Sequence, residues 1–292
     1  MRITNGLLQR AALRGLQTNL QALDRAQRQA STGVRFERPS EDPVSMGGVM
    51  QSTGRLRAIE QYQRNLSGGL SRLNTEDSVL GQLTNQLGRA RQLGLGQVGA
   101  TANPQTRDIT KQEVDQIIDA VTGLGNTQLE GSYLFGGLTT DVRPFPPGGP
   151  DPLNPPLGDR EIEANAGLIL KTNHSGSEVF IDTGALDSLY ALSAALEAGV
   201  PEDIATAVTD VETAFDNIQS LVGELGARVN RLEATQENLS ALEINLQTFR
   251  SDLQDVELEE AVTEMVSRQV AYEAALAANS RILNLTLTNY LR

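Results

Sequence analysis

The sequence predicts a mainly α-helical protein: a long coiled-coil-like bundle formed by both chain ends, with a small β-rich domain inserted between them. Three observations carry this. Apolar residues recur at three- and four-residue intervals on both flanks, as in Leu13, Leu16, Leu20 and Leu23 and again from Val208 to Phe249. Extended-type runs bounded by glycine and proline occur only between about 130 and 185. Of 292 residues only 4% are aromatic and none is Trp, which suits Leu- and Ala-lined seams better than one large compact core.

From Leu7 to Ala30 the chain reads as helix, and Ser31-Thr32-Gly33 stops it, Gly33 being suited to a left-handed cap. Val34 to Ser40 is irregular and holds Pro39. Asp42-Pro43 then starts a second helix, an acidic N-cap ahead of a proline in the first turn. Spacing of three and four runs through Leu56, Ile59, Gln63, Leu66, Leu70, Leu73, Asp77, Leu80, Thr84 and Leu87. Gln63, Asp77 and Thr84 are therefore expected on the apolar seam, where polar groups set register at a cost in stability. Asn103-Pro104 opens a third helix carrying Val114, Ile117, Val121 and Leu124.

Gly131 to Gly137 reads as a short strand and Pro144 to Gly158 as a loop. Leu168–Lys171 and Glu178–Ile181 read as strands joined across a turn at His174-Ser175-Gly176. Helix returns over Leu186–Ala198, stops at Gly199 and restarts behind Pro201. Ser251-x-x-Gln254 has the capping-box pattern, so a fresh helix is expected there. The last helix is apolar on two faces, one with Leu258, Val262, Met265, Tyr272, Leu276, Leu283 and Tyr290, the other with Val266, Val270, Ile282 and Leu287. Such a helix is normally covered on more than one side.

With no Cys and one His, disulfide scaffolds, thiol catalysis and His-rich or zinc metal sites are excluded. A net charge of −13 does not suit nucleic acid. The charge is unevenly placed: residues 1–100 carry +6 and the remainder −19, so the two flanks would attract one another if their helices lie side by side. No run approaches the ~18–20 uninterrupted apolar residues of a membrane span. Gly94-x-Gly96-x-x-Gly99 matches a dinucleotide fingerprint by letter. It lacks the preceding strand and following helix that let such a loop cradle phosphates, and it reads as a turn between helices. His174 reads as an exposed turn residue with no triad partner in sight, and Arg35 with Arg38 is a weak anion pair. Paired acids such as Glu41/Asp42 and Glu259/Glu260 lie at helix starts, where they complement the dipole. Neither a catalytic group nor a cofactor is indicated.

Gln29-Ala30-Ser31-Thr32-Gly33-Val34-Arg35 and Pro39-Ser40-Glu41-Asp42-Pro43-Val44 resemble the N-terminal signature of bacterial flagellins and their relatives. Its characteristic positions here are Ser31, Gly33, Arg35, Pro39, Ser40, Asp42 and Pro43, with Glu41 where an Asp is usual. Proline after the acidic pair is similar to the hook–filament junction branch of that family. So are Tyr133–Gly137 followed by Pro144-Phe145, Gly223–Arg231, Gln269–Leu276 and the ending Leu285–Leu291.

The resemblance implies a structural subunit of the bacterial flagellum, not an enzyme, secreted unfolded through the flagellar channel without a cleaved signal. That replaces the cytoplasmic location that the N-terminus alone suggests. The implied partners are the other hook-associated junction protein, flagellin, copies of this chain in a ring, and a flagellar export chaperone with the export apparatus. Nucleic acid and membrane insertion are not implied. The assembly interface is expected at Leu13, Leu16, Leu20, Leu23, Val262, Met265, Leu276, Leu283 and Tyr290. The expected segments are 1–40, an assembly helix and spoke; 41–129, helical core; 130–185, the β-rich insert; 186–254, helical core; and 255–292, a second assembly helix. Filament flagellin, a coiled-coil binding module outside the flagellum and a dinucleotide-binding enzyme stand as alternatives.

Overall fold

The computed structural model describes residues 2–99, 103–146 and 154–290, with side chains at all of these except 2–6, 8–9 and 282–290. In chain order the described elements are α1 (Arg2–Thr32), α2 (Pro43–Leu95), α3 (Pro104–Gly125), β1 (Gln128–Leu129), β2 (Ser132–Tyr133), β3 (Glu161–Asn165), β4 (Leu168–Lys171), a single π-helical turn (Ser177–Ile181), α4 (Ala185–Ala198), α5 (Pro201–Gln254) and α6 (Leu258–Tyr290). The chain is mainly helical, as the periodicity predicts. It forms two compact units, residues 1–58 with 242–292, and residues 59–241.

Within 59–241, α2 and α5 run antiparallel. Gly94 packs against Val208, Gly88 against Phe215 and Gly69 against Leu232, and Arg91 pairs with Glu212 at 3.2 Å. At every seventh position each helix buries an apolar residue: Ile59, Leu66, Leu73, Leu80 and Leu87 on α2, and Ile204, Val211, Ile218, Leu225, Leu232 and Leu239 on α5. A strict seven-residue repeat keeps one stripe facing a partner over this length only if the helices supercoil. Gly94 lies inside α2 and faces Val208 and Leu192, so close that a Cβ would stand 2.5 Å from Val208. Its role is close helix packing. α3 packs on α4, burying Val114, Ile117, Ile118 and Val121 on one side and Leu189, Leu192 and Leu196 on the other. Asn103 caps α3 through the Thr106 N–H at 2.8 Å.

The insert departs from the sequence reading in three ways. Strand between Gly131 and Gly137 is limited to Ser132–Tyr133, paired with Gln128–Leu129 through a tight turn in which Glu130 and Gly131 both have positive φ. Leu168–Lys171 pairs with Glu161–Asn165, not with the segment that follows it. Glu178–Ile181 is helical, not a strand. Ser175-x-x-Glu178 forms a reciprocal capping box: the Ser175 N–H donates to Glu178 Oε2 at 2.8 Å and the Glu178 N–H to Ser175 Oγ at 3.2 Å. Local capping therefore outweighs the β preference of Val179, Phe180 and Ile181. Three of the scarce aromatics, Phe135, Phe145 and Phe180, are fully buried and meet edge to face at 5.2 and 5.0 Å. Ser177–Ala198 has the length and composition of a membrane span, but 61% of its most apolar stretch is buried in this unit.

A buried charge sits one residue away from the expected position. Asp77 is exposed, and Glu76 is the fully buried acid on the α2 seam. Its carboxylate accepts from the His174 backbone N–H at 3.2 Å and contacts His174 Nδ1. His174 is accordingly buried and not exposed, because the chain after β4 turns inward onto α2. Arg228 Nη1 closes the same region by donating to the Asn173 carbonyl at 3.0 Å.

Candidate functional site: the paired terminal helices

In the terminal unit, α1 and α6 pack against one another antiparallel. Asn279 Nδ2 donates to the Ala12 carbonyl at 3.3 Å near one end of the pair. At the other end, α1 stops at Gly33, whose φ of +72 is the left-handed cap that its sequence predicts. The chain then bridges to the break between α5 and α6. Val34 pairs with Asp255, the Arg35 N–H donates to the Gln254 carbonyl at 2.6 Å and the Val256 N–H to the Gly33 carbonyl at 2.9 Å. This bridge accounts for another correction. No helix begins at Ser251; α5 continues to Gln254, and its end is set where the chain from Gly33 to Arg35 takes up backbone hydrogen bonds.

The signature residues build that junction. Arg35 Nη2 donates to the Leu253 carbonyl at 2.8 Å and lies 4.0 Å from Asp42, so it satisfies a helix end instead of waiting for an anion. Gln29 Nε2 donates to the Arg35 carbonyl at 2.7 Å, and Phe36 is buried beneath. Asp42 caps α2 by accepting from the Ser45 N–H at 3.0 Å; hydrogen bonding by Ser45 holds its carboxyl below the ordinary range. Glu41 is lowered too, chiefly by the Glu37 N–H it accepts at 3.1 Å. Gly48 passes close to Leu253, and a Cβ there would stand 2.8 Å from the Leu253 Cδ1, which would have to shift. Glu259 and Glu260 occupy the first turn of α6, complementing its dipole.

The expected interface residues divide into two sets. Leu16 and Leu23 on α1 and Met265 on α6 turn toward the covered side, where Ala26 and Ala261 are also buried. Leu13 (61% exposed), Leu20, Val262 and Leu276 stand outside it. The single seam read from Leu13 to Leu23 is thus two stripes, because Ala12, Ala26 and Ala261 let small residues share the pairing face and displace half the leucines from it. Leu283 and Tyr290 lie on α6 with side chains outside the described residues. Beyond the expected set, Leu7, Leu258, Val266 and Val270 (59% exposed) extend the uncovered apolar surface. The two-faced apolar pattern of the last helix is the signal for Val266 and Val270.

Residues 3–140 match the family profile described as the bacterial flagellin N-terminal helical region, and residues 208–291 match the C-terminal one. Flagellar hook-associated protein 3 of Escherichia coli (strain K12) is 22% identical over 187 residues, 62% of this chain and 57% of that protein's length. Among solved structures, a Vibrio parahaemolyticus chain assigned as a flagellar hook-associated protein superposes with a TM-score of 0.67 at 21% identity. It covers 74% of this chain and 100% of the other. The flagellar junction protein FlgL of Legionella pneumophila superposes with a TM-score of 0.56 at 15% identity, covering 71% of this chain and 100% of its own.

Proposed function

Because the chain belongs to the bacterial flagellin family, we propose that it is the structural subunit that joins the flagellar hook to the flagellin filament. The observation that carries this reading is the uncovered apolar surface on α1 and α6, with Leu13, Leu20, Val262, Val266, Val270 and Leu276 all exposed on helices that already have one partner. Exposed apolar faces on helices that are already paired mark sites of protein–protein contact. Copies of this chain would supply that cover around a ring, with the other hook-associated junction protein on one side and flagellin on the other. Leu283 and Tyr290, on the same helix, belong to the proposed interface. A helix pair that buries so little within one chain is also suited to staying unfolded during export, in the keeping of a chaperone and the export apparatus.

The junction position is preferred to the filament itself because of the Asp42-Pro43 signature and the Tyr290-Leu291 ending. The role is structural, and no catalytic step is assigned to it. A deletion strain tests the reading. It should export flagellin into the medium, assemble no attached filaments and fail to swim, with all three restored by this chain. Normal filaments and swimming in that strain would refute it.

A further inference from the structure

A cavity of about 240 Å³ opens among α2, the β1–β2 hairpin and the β3–β4 hairpin, all inside the unit 59–241. Three arginines line it: Arg64 and Arg72 from α2, and Arg160 from the residue before β3; Arg64 Nη2 donates to Gln61 Oε1 at 2.9 Å. Arg64, Gly68 and Arg72 lie on one i, i+4, i+8 row of α2. A Cβ at Gly68 would meet nothing within 4 Å, so the row has a gap between its two cations.

Arg72 is only 5% exposed. Its Nη2 donates to the Tyr133 and Leu134 carbonyls at 3.2 and 2.6 Å, while its buried Nε has no partner. Among the described residues none of the three arginines forms a salt bridge. Glu76, one turn from Arg72, is engaged by His174. Burial first, and the charge of Arg160 second, press Arg72 below the ordinary guanidinium range, with Glu76 opposing them. Two like charges facing a partly enclosed space repel, and burying a guanidinium is costly.

The neutral lining groups are already committed. Asn65 Nδ2 donates to the Glu163 carbonyl, Ser132 Oγ to the Leu129 carbonyl and Thr172 Oγ1 to the Arg160 carbonyl. What the cavity has left to offer is positive charge with N–H donors, which selects an anion over a neutral sugar. We propose that this cavity is an oxyanion site that takes a phosphoryl group, with Arg72 and Arg160 as its principal donors and Arg64 at its rim. Glu130, also in the lining, opposes the anion and sets a modest affinity. The volume, several times the ~30 Å³ share of one water in the liquid, admits a phosphate ester as well as the free ion.

Calorimetric titration of the full chain with inorganic phosphate, at constant ionic strength, is the test. Saturable binding is expected, weakened about tenfold or more in Arg160→Gln and strengthened in Glu130→Gln. Arg160 is exposed, so its replacement leaves the fold intact; Arg72→Gln, which would free two carbonyls, is a secondary variant checked by circular dichroism. Glucose 1-phosphate separates the two sources. Binding at least as tight as inorganic phosphate identifies an ester ligand, and weaker binding identifies the free ion. Absence of saturable phosphate binding to folded protein, equal binding by Arg160→Gln, or equal binding of neutral glucose would each overturn the proposal.

Discussion

The two units are built from the same kind of helix, yet they use their apolar residues differently. In 59–241, α2 and α5 turn a leucine, isoleucine or valine of nearly every heptad into a fully covered core, and α3, α4 and three phenylalanines close it further. In the terminal unit, α1 and α6 bury Leu23, Ala26 and Ala261 but leave Leu13, Leu20, Val262, Val266, Val270 and Leu276 open. The difference is the number of neighbours each helix finds within one chain. Hydrophobic burial scales with area removed from water, so a helix with one partner in the chain leaves the apolar area of its second face unburied. Residues 59–241, the inner unit, thus hold most of the buried apolar core of one chain, while the terminal unit leaves apolar side chains exposed.

The largest effect that would test this contrast is functional. Val262→Asp, Val266→Asp and Val270→Asp together should abolish swimming and filament attachment while leaving the thermal midpoint of the isolated chain nearly unchanged. A collapse of that midpoint would show that the face is covered within the monomer. Next comes the buried pair in the inner unit. His174→Ala leaves Glu76 fully buried without its imidazole partner and should cost about 3 kcal/mol or more in urea unfolding; a loss typical of a surface site would show that the pair is solvated. Leu73→Ala should cost about 2–5 kcal/mol, whereas Leu13→Ala should stay within about 0.5 kcal/mol. Equal losses would erase the distinction between the units.

Hydrogen exchange sharpens it further. Amides of α6 around Leu276 should exchange far faster in a confirmed monomer than those around Leu80, because among the described residues of α6 only Ala261 is buried. The smallest effect concerns pH. Asp42 and Glu41 have depressed folded-state values, so their contribution is present above the ordinary carboxylate range and lost as pH falls through the lowered values. Exchange of the Ser45 and Glu37 amides should accelerate on acidification before the inner unit loses helicity. Lys171 works in the opposite sense. Burial disfavours its charge, but hydrogen bonds to Asp159 and Glu178 outweigh this and raise it, so its contribution fades only as pH rises through that raised value.

Much of the fold was legible from local patterns. Gly33, Asp42-Pro43, Asn103-Pro104 and Gly199 mark helix ends by capping chemistry that acts within a few residues, and the structure uses each of them. The Ser175-x-x-Glu178 box is a local signal of the same kind that the strand reading of Glu178–Ile181 leaves out. The candidate interface was legible in outline, since the last helix is apolar on two faces, but its division was not. Seven-residue spacing identifies a stripe without saying which of two adjacent stripes meets the partner.

The sequence by itself determined the helical class, the position of the insert, the main helix ends and the surplus of apolar surface at the termini, because each follows from periodicity or from caps that need only neighbouring residues. Tertiary structure alone decided that Glu76 and not Asp77 lies on the seam, that His174 is buried against it, that α5 runs on to Gln254, and that Arg64, Arg72 and Arg160 share one cavity. These outcomes depend on groups far apart in the chain. Glu76 and His174 are 98 residues apart, and Arg35 and Leu253 are 218 apart. Whether a charge is buried, or a helix ends, is settled there by the partner that the fold brings into hydrogen-bonding distance, and no local pattern names that partner.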